Sequence, residues 1–245
     1  MMKILVCISV VPDTTSKITI DPSSSLINLE GLTFIVGPYD DYALSRALEI
    51  KELNQAEVVV LHVGTAESEP LIRKCLALGA DKAVRINGKP TDSIQIANEI
   101  ARYVQDNPMD LILMGKESID YNSALVHNLV ASKLGISHFS PVMKLDLKGE
   151  NEISMLIETD DGKAQISAHL PAVLGCQEPI AEWKIPSMRG IMMARTKEIS
   201  IVELSAGSEV QIDKCHVIEN TRKQIMISAE NAESLIDLLK AESLI

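Results

Sequence analysis

The sequence predicts an α/β chain: a doubly wound, mostly parallel sheet, a small β-hairpin region, and an extended C-terminal arm and helix. Three observations carry this. Near-continuous apolar runs recur along the chain, as strands buried on both faces require. Helical patterns separate the first four runs, which implies βαβ units with right-handed crossovers. The pattern then changes after Pro141 to short, closely spaced strand-like stretches.

The first run is Lys3–Val11 (KILVCISVV), followed by Ala56–Val63, Lys82–Ile86 and Asp110–Met114. Ala43, Leu44, Ala47 and Leu48 share one face of a helix beginning near Asp40 or Asp41. Leu71, Ile72, Cys75 and Leu76 do the same after Pro70, with Gly79 placed to end that helix. Ile94, Ala97, Ala101 and Val104 mark a third helix, stopped by Asn107-Pro108. Leu125, Leu129, Val130 and Leu134 mark a fourth, closed by Gly135. Beyond Pro141, strands are expected at Val142–Leu147, Ile153–Glu158 and Lys163–Ala168, with Asp160-Asp161-Gly162 as a turn. Ala172–Cys176 reads as one more buried strand. Residues 177–197 have no clean period and read as an extended arm. A polar stretch around Ser205–Glu209 precedes a last helix at about Ala229–Lys240.

Of 245 residues 46% are apolar, enough for a sizeable core and too many for a disordered chain. With 23 basic against 34 acidic groups the net charge is −11, which disfavours nucleic acid as a partner. No apolar run approaches the roughly 18 to 20 residues that cross a bilayer, so no direct membrane insertion is expected. The opening residues read as a strand rather than a signal peptide. Cys7, Cys75, Cys176 and Cys215 form no CxxC pair, which suits reduced thiols and a cytoplasmic home. His62, His127, His138, His169 and His216 show no metal-ligand spacing and read as scattered residues.

The motifs of stand-alone catalysis are missing: there is no GxSxG elbow, no GxxxxGK[ST] loop and no GxGxxG fingerprint. An SGGxDS loop is absent after the first strand, where Pro12-Asp13-Thr14-Thr15 stands. Asp13, Asp40, Asp120 and Asp160 have no spacing that selects an acid–base pair. Three segments fall where doubly wound sheets bind ligands: Cys7–Thr15, Gly37–Asp40 and Gly115–Ser123. Free amides at the start of the fourth helix, near Asn122–Leu125, suit a phosphate, with Ser123 adding a hydroxyl; the plainer alternative is that Asn122 or Ser123 caps the helix. Lys184–Lys197 (KIPSMRGIMMARTK) has four basic residues, no acidic one, and three methionines: Met188, Met192 and Met193. It suits either an arm packing its apolar side chains on its own domain or a docking segment for another protein.

Taken in order, these segments resemble the electron transfer flavoprotein beta subunit. The resemblance rests on KILVCISVVPDTT, GPYDDYALSRALEIKE (family form NPxDxxALEEALRLKE) and VGTAESEPLIRKCLALGADKAVRI. It continues through GKESIDYNSALV (family form GxQxxDxDTGQV), ETDDGKAQISAHLPAVLG and IPSMRGIMMARTK, over nearly the whole chain. It implies a Rossmann-like, adenine-nucleotide alpha-hydrolase-like domain at residues 1–183 that binds structural AMP. Residues 184–245 would form a partner-recognition arm and an extension packing on an alpha subunit that holds FAD. The implied AMP site comprises Cys7, Gly37, Pro38, Tyr39, Asp40, Val63, Asp120, Asn122, Ser123, Ala124, Leu125 and Val126, with Tyr39 near the flavin ring. The implied docking residues are Met188, Arg189, Ile191, Met192 and Arg195, facing flavin-dependent dehydrogenases that donate electrons, with Met188 where Leu is usual. Such a subunit is an electron-carrier component without catalytic residues of its own.

Departures from the family pattern are Ser9 for Lys, Gly37 for Asn, Ser45 for Glu, Ala124-Leu125 for Gly-Gln, and Gly175 for a small hydroxyl residue. Glu158 and Thr159 stand near the place of a basic residue. The runner-up is a bifurcating-type subunit binding a second FAD in place of AMP, which the VPDTT opening also resembles. Ser9, Gly37 and Leu125 remove long polar side chains and favour AMP. Two further rivals are a scaffold with an empty pocket and a universal-stress-like regulator. The latter's G-x-x-G loop is matched only by Gly115-Lys116-Glu117-Ser118, without the second glycine.

Overall fold

In the computed structural model, which describes residues 1–149, 151–205, 207, 210, 212–218 and 224–245, the first apolar run becomes the central strand β1 (Lys3–Cys7). A hairpin region follows: β2 (Val10–Pro12), β3 (Thr19–Ile20), β4 (Ile27–Asn28) and β5 (Phe34–Val36). Next come α1 (Pro38–Asn54), β6 (Glu57–Gly64), α2 (Glu69–Leu78), β7 (Lys82–Asn87), α3 (Ser93–Asp106), β8 (Leu111–Gly115) and α4 (Val126–Leu134). The second half holds β9 (Ser137–Leu147), β10 (Glu152–Thr159), β11 (Gly162–His169) and β12 (Ala172–Cys176). Last are α5 (Met188–Ala194), β13 (Ile199–Glu203) and α6 (Glu233–Ala241).

The main sheet runs β11-β10-β9-β12-β8-β1-β6-β7-β13, antiparallel from β11 to β9 and parallel from there on. On β1, Val6 lies opposite Val60 of β6 on one side and Leu113 of β8 on the other. The chain winds outward from β1 through β6 to β7, then returns to β8. The strand order therefore reverses between β1 and β8, and a crevice opens at their carboxyl ends.

Alternation along β1 divides the core into two layers. Ile4 and Val6 pack with Leu44 and Leu48 of α1 and Ile72 and Leu76 of α2. Leu5 and Cys7 pack with Ile100 and Val104 of α3 and Val130 and Ala131 of α4. Ile4, Leu5, Leu111, Ile112 and Leu113 are fully buried, and each side chain of this kind contributes about 1.5–3 kcal/mol. Covered on both faces, such strands have no polar side to show.

The doubly wound class holds, and several boundaries move. The first run breaks at Ile8-Ser9, because Val10–Pro12 turns away to pair antiparallel with β5 (Val10 opposite Val36). Helix α1 starts at Pro38, earlier than the expected Asp40 or Asp41; Pro needs no N–H partner in a first turn, and Gly37 is the N-cap. Gly79 and Gly135 follow α2 and α4 with φ of 132° and 66°, as expected. Strand β9 begins at Ser137, ahead of Pro141. The polar stretch at 205–209 lies partly outside the described residues, since 206, 208 and 209 are not among them.

The arm is not extended throughout: residues 188–194 form α5, capped by the Ser187 hydroxyl accepting from Gly190 N at 3.0 Å. Helix α5 lies against α2 so closely that a Cβ on Gly190 would meet the Ala77 carbonyl. Arg73 of α2 donates to the carbonyls of Ala194 (2.9 Å) and Lys197 (3.1 Å), placing a cation at the negative end of α5. Lys197 Nζ donates to Ala80 O at 2.5 Å. The chain then adds β13 to the sheet edge, Ile201 opposite Arg85, a strand that the sequence pattern does not announce.

Replacing Arg73 with Met should free α5 selectively. Amide exchange in Gly190–Thr196 should quicken by about tenfold or more while Leu111–Gly115 keeps its protection. Equal acceleration in both would mean that α5 opens only with the whole domain.

Candidate functional site

At the carboxyl ends of β1 and β8 one carboxylate joins the two strands. Asp40, in the first turn of α1, accepts from Ser9 N (2.8 Å) and Ser9 Oγ (2.5 Å) through Oδ2, and from Gly115 N (2.8 Å) through Oδ1. The chain between is drawn in by Gly37 N donating to Ser9 O at 3.0 Å. A Cβ on Gly37 would lie 2.5 Å from Asp40 Oδ2, and one on Gly115 would lie 2.7 Å from both Asp40 Oδ1 and Tyr39 Cβ. Both positions therefore require glycine. Asp40 is 5% exposed. Burial pushes its carboxyl up to about 6, against the three hydrogen bonds that favour the ionised form; the neighbouring Asp41 charge adds to the rise.

After β8 the chain is clamped by Lys116 N donating to Cys176 O at 2.9 Å. It then runs along the surface: Asp120, Tyr121, Asn122, Ser123, Ala124 and Leu125 are exposed. Asn122 (φ 49°) and Ala124 (φ 50°) both take the left-handed conformation, a costly choice for alanine. Leu125 is the N-cap of α4 and gives it no side-chain cap. The expected cap by Asn122 or Ser123 is thus not made, because the helix begins at Val126 and leaves both behind. The first bond of this turn runs from Leu129 N to Leu125 O, so the amides of residues 126–128 have no intrahelical partner. They lie one to three residues beyond the expected Asn122–Leu125.

Just inside this helix sits a pair that sequence spacing does not reveal. His127 Nε2 donates to Lys116 O at 2.6 Å, and His127 Nδ1 meets His138 Nε2 at 2.7 Å. A carbonyl only accepts, so Nε2 of His127 carries its proton and Nδ1 accepts from His138. The rings lie 10° from parallel with centroids 4.8 Å apart. Burial lowers the pKa of His127; burial and then His127 lower that of His138 to about 4. The pair is neutral at neutral pH. Gly175 makes room for it, since a Cβ there would come 2.8 Å from Ser140 Cβ and 3.3 Å from His127 Cδ2. The pair borders a cleft of about 360 Å³ lined by Lys116, Glu117, Ala124, Asn128, Ser140 and Pro141 as well.

Around this centre the other expected residues divide. Cys7 ends β1, buried, its thiol pushed up by burial and by Asp40. Pro38 and Tyr39 open α1, and Lys116 Nζ stands 4.9 Å from the Tyr39 ring centroid. Val63 lies at the end of β6, buried on the α3–α4 side. His62 precedes it, its Nδ1 2.9 Å from Ile8 O, tying β6 to β1 beyond the last strand pair. The structure thus gathers Cys7, Gly37, Pro38, Tyr39 and Asp40 at the switch point, with Val63 one strand away. Asp120–Val126 follow β8 as an exposed loop. Lys116, Ser9, His127 and His138 are the partners that pattern reading did not select.

The arm departs from one of its two readings. Met188 is 77% exposed and Met192 68%, with Ile191 and Met193 partly covered, so the arm's own domain leaves most of the Met188 and Met192 surface open. The contacts to the domain come instead from Gly190, Ala194, Arg73 and Lys197. Arg189 and Arg195 lie in the same outward surface. At the arm's base Trp183 Nε1 donates to Asp41 Oδ2 (3.2 Å), Lys74 Nζ lies 5.6 Å from its ring centroid, and Lys184 pairs with Glu52 at 3.1 Å. Among the described residues no group of three or more His, Cys, Asp or Glu is placed to hold a metal, and no helix is long and apolar enough to cross a membrane.

The family described as "Electron transfer flavoprotein domain" matches residues 26–206. The chain is 32% identical to the electron transfer flavoprotein subunit beta of Bacillus subtilis (strain 168), over 94% of this chain and 95% of that protein. It is 28% identical to the protein of the same name from Mycobacterium tuberculosis (strain ATCC 25618 / H37Rv), over 100% of both. A third, from Syntrophomonas wolfei subsp. wolfei, is 31% identical over 86% of this chain and 84% of that protein.

The Asp40 bridge has a pH signature. Its folded carboxyl titrates near 6 against an ordinary 3.8, so the folded state binds the proton more tightly. The resulting stabilisation is complete below about pH 4 and is lost as pH rises through about 6, amounting to roughly 3 kcal/mol. Denaturation of the parent and of Asp40→Asn across pH 4 to 7.5 reads this as a falling stability difference, parent minus variant. A rising difference would show that the hydrogen bonds from Ser9 and Gly115 outweigh burial.

Proposed function

The chain belongs to the electron transfer flavoprotein family, as a beta subunit, and on that premise we propose that it binds AMP at the β1–β8 crevice, pairs with an alpha subunit that holds FAD, and docks donor dehydrogenases. The observation that carries this reading is the crevice itself: amides at the start of α4 with no intrahelical partner, a loop in left-handed conformation, and glycines at 37 and 115 that let the strand ends close on Asp40 and Tyr39. These features fit an adenylate, which needs amide donors for its phosphate and close backbone approach.

In this reading the amides of 126–128 and the Ser123 hydroxyl hold the phosphate. Cys7, Gly37, Pro38, Val63, Asp120, Asn122, Ala124 and Leu125 form the rest of the AMP site. Asp40 acts at one remove, fixing Ser9 and Gly115 so that both strand ends keep their places. The nucleotide stiffens the fold and takes no part in chemistry. Tyr39 lies against the flavin that the alpha subunit carries; when bound, that flavin supplies the electron-transfer chemistry. This chain adds no general acid or base. Its residues shape one side of the flavin's surroundings and exclude water there.

Residues 184–245 have a different role from residues 1–183. The first part of the arm offers Met188, Ile191 and Met192 with Arg189 and Arg195 to a flavin-dependent dehydrogenase, and the later residues pack on the alpha subunit. Flexible thioethers rimmed by arginine suit a surface that meets partners transiently. The assembly works in the cytoplasm, without nucleic acid and without membrane insertion.

Purified alpha–beta complex should yield AMP and FAD in equal amounts, read by mass spectrometry of the extracted nucleotides. Two FAD and no AMP would establish the bifurcating-type alternative, and FAD without adenylate an empty pocket. Met188→Ala should slow electron delivery from a donor dehydrogenase by about three- to tenfold, as loss of an exposed interface anchor does, with unchanged flavin content. Lost flavin at an unchanged delivery rate per flavin would assign Met188 to subunit assembly instead.

A further inference from the structure

We propose that Lys116 is the positive charge through which this subunit raises the reduction potential of the flavin, and that His127 and His138 are the positioning residues that hold it there. The inference rests on the proposed function, which sets Tyr39 against the flavin. Three observations carry it further. The Lys116 ammonium stands 4.9 Å from the Tyr39 ring centroid, within the range of a cation held by a ring face. Its main chain is held on both sides, its N–H by Cys176 O at 2.9 Å and its carbonyl by His127 Nε2 at 2.6 Å. His127 is in turn braced by His138 at 2.7 Å, in space that Gly175 leaves open.

Long lysine side chains usually wander, and a wandering ammonium is an averaged, water-screened charge. Here the backbone is held on both sides and the side chain lies along a ring. A fixed cation beside an electron acceptor stabilises each added electron, and nearby charge is one of the means by which a protein adjusts a flavin. A neighbouring carboxylate opposes it: Glu117 Oε1 lies 3.8 Å from Lys116 Nζ. A neutral histidine pair serves this arrangement better than a charged one, since it braces the loop without adding a charge of its own.

The test uses the complete alpha–beta complex and reads the flavin midpoint potential by spectroelectrochemistry, with flavin content measured alongside. Lys116→Met should lower the one-electron reduction constant by about tenfold, a shift of 59 mV. Lys116→Arg should remain within about threefold of the parent, and Glu117→Gln should move the potential the opposite way. His127→Leu should reproduce part of the Lys116→Met shift. Opposite movement on removing the two charges is an outcome that loss of packing does not produce. Unmoved potentials, or shifts of the same sign in Lys116→Met and Glu117→Gln, with flavin present, overturn the inference alone. A complex containing no flavin overturns the proposed function and this inference with it.

Discussion

The carboxylate of Asp40 sets the geometry on which the rest depends. β1 and β8 are neighbours in the sheet, yet their carboxyl ends must stay apart far enough to form a crevice and close enough to line it together. Asp40 meets both demands, with one oxygen on Ser9 and the other on Gly115. Its position follows from Pro38 starting α1 directly after Gly37, which turns the first helical residues toward the strand ends. Burying a carboxylate is costly, and three donors offset that cost only in part, so the group titrates near 6. A buried, partly compensated carboxyl at a crevice marks a candidate functional site rather than a source of stability.

From this anchor the two flanks take separate tasks. On the β8 side the loop through Ala124 accepts left-handed backbone and leaves the start of α4 uncapped, an arrangement that stability alone does not favour. The same loop is stiffened from below by His127 and His138. On the α2 side the chain builds a platform rather than a pocket: Arg73 and Gly190 bind α5 to the domain, and the methionines face outward. In the proposed function, recognition and nucleotide holding thus fall to different parts of the chain.

Much of the fold was legible in the sequence because its causes are local. β1, β6, β8 and β12 are buried on both faces and so read as apolar runs. Gly79 and Gly135 end helices where only glycine is at ease. What escaped has short or mixed signals. β3 and β4 are two residues each. α5 spans seven residues, too few to show a period. β13 lies at an edge, and its five residues, Ile199-Ser200-Ile201-Val202-Glu203, show neither strict alternation nor a fully buried member. In the site, the motif around Asp40 pointed to the right place, but Ser9 reads as the loss of a long side chain when it is in fact a double donor to Asp40. His127 and His138 are eleven residues apart on a helix and a strand; no linear pattern joins them, and only the turn at Gly135 brings them together.

The most direct measurement is hydrogen–deuterium exchange on the alpha–beta complex, first stripped of nucleotide and then given AMP. Slower exchange confined to the start of α4 and the loop before it is the expected result, because the amides of 126–128 have no partner within the helix, whereas those of Ser9 and Gly115 are already held by Asp40. Protection that appears elsewhere, or none at saturating AMP, would contradict the claim that this crevice holds an adenylate.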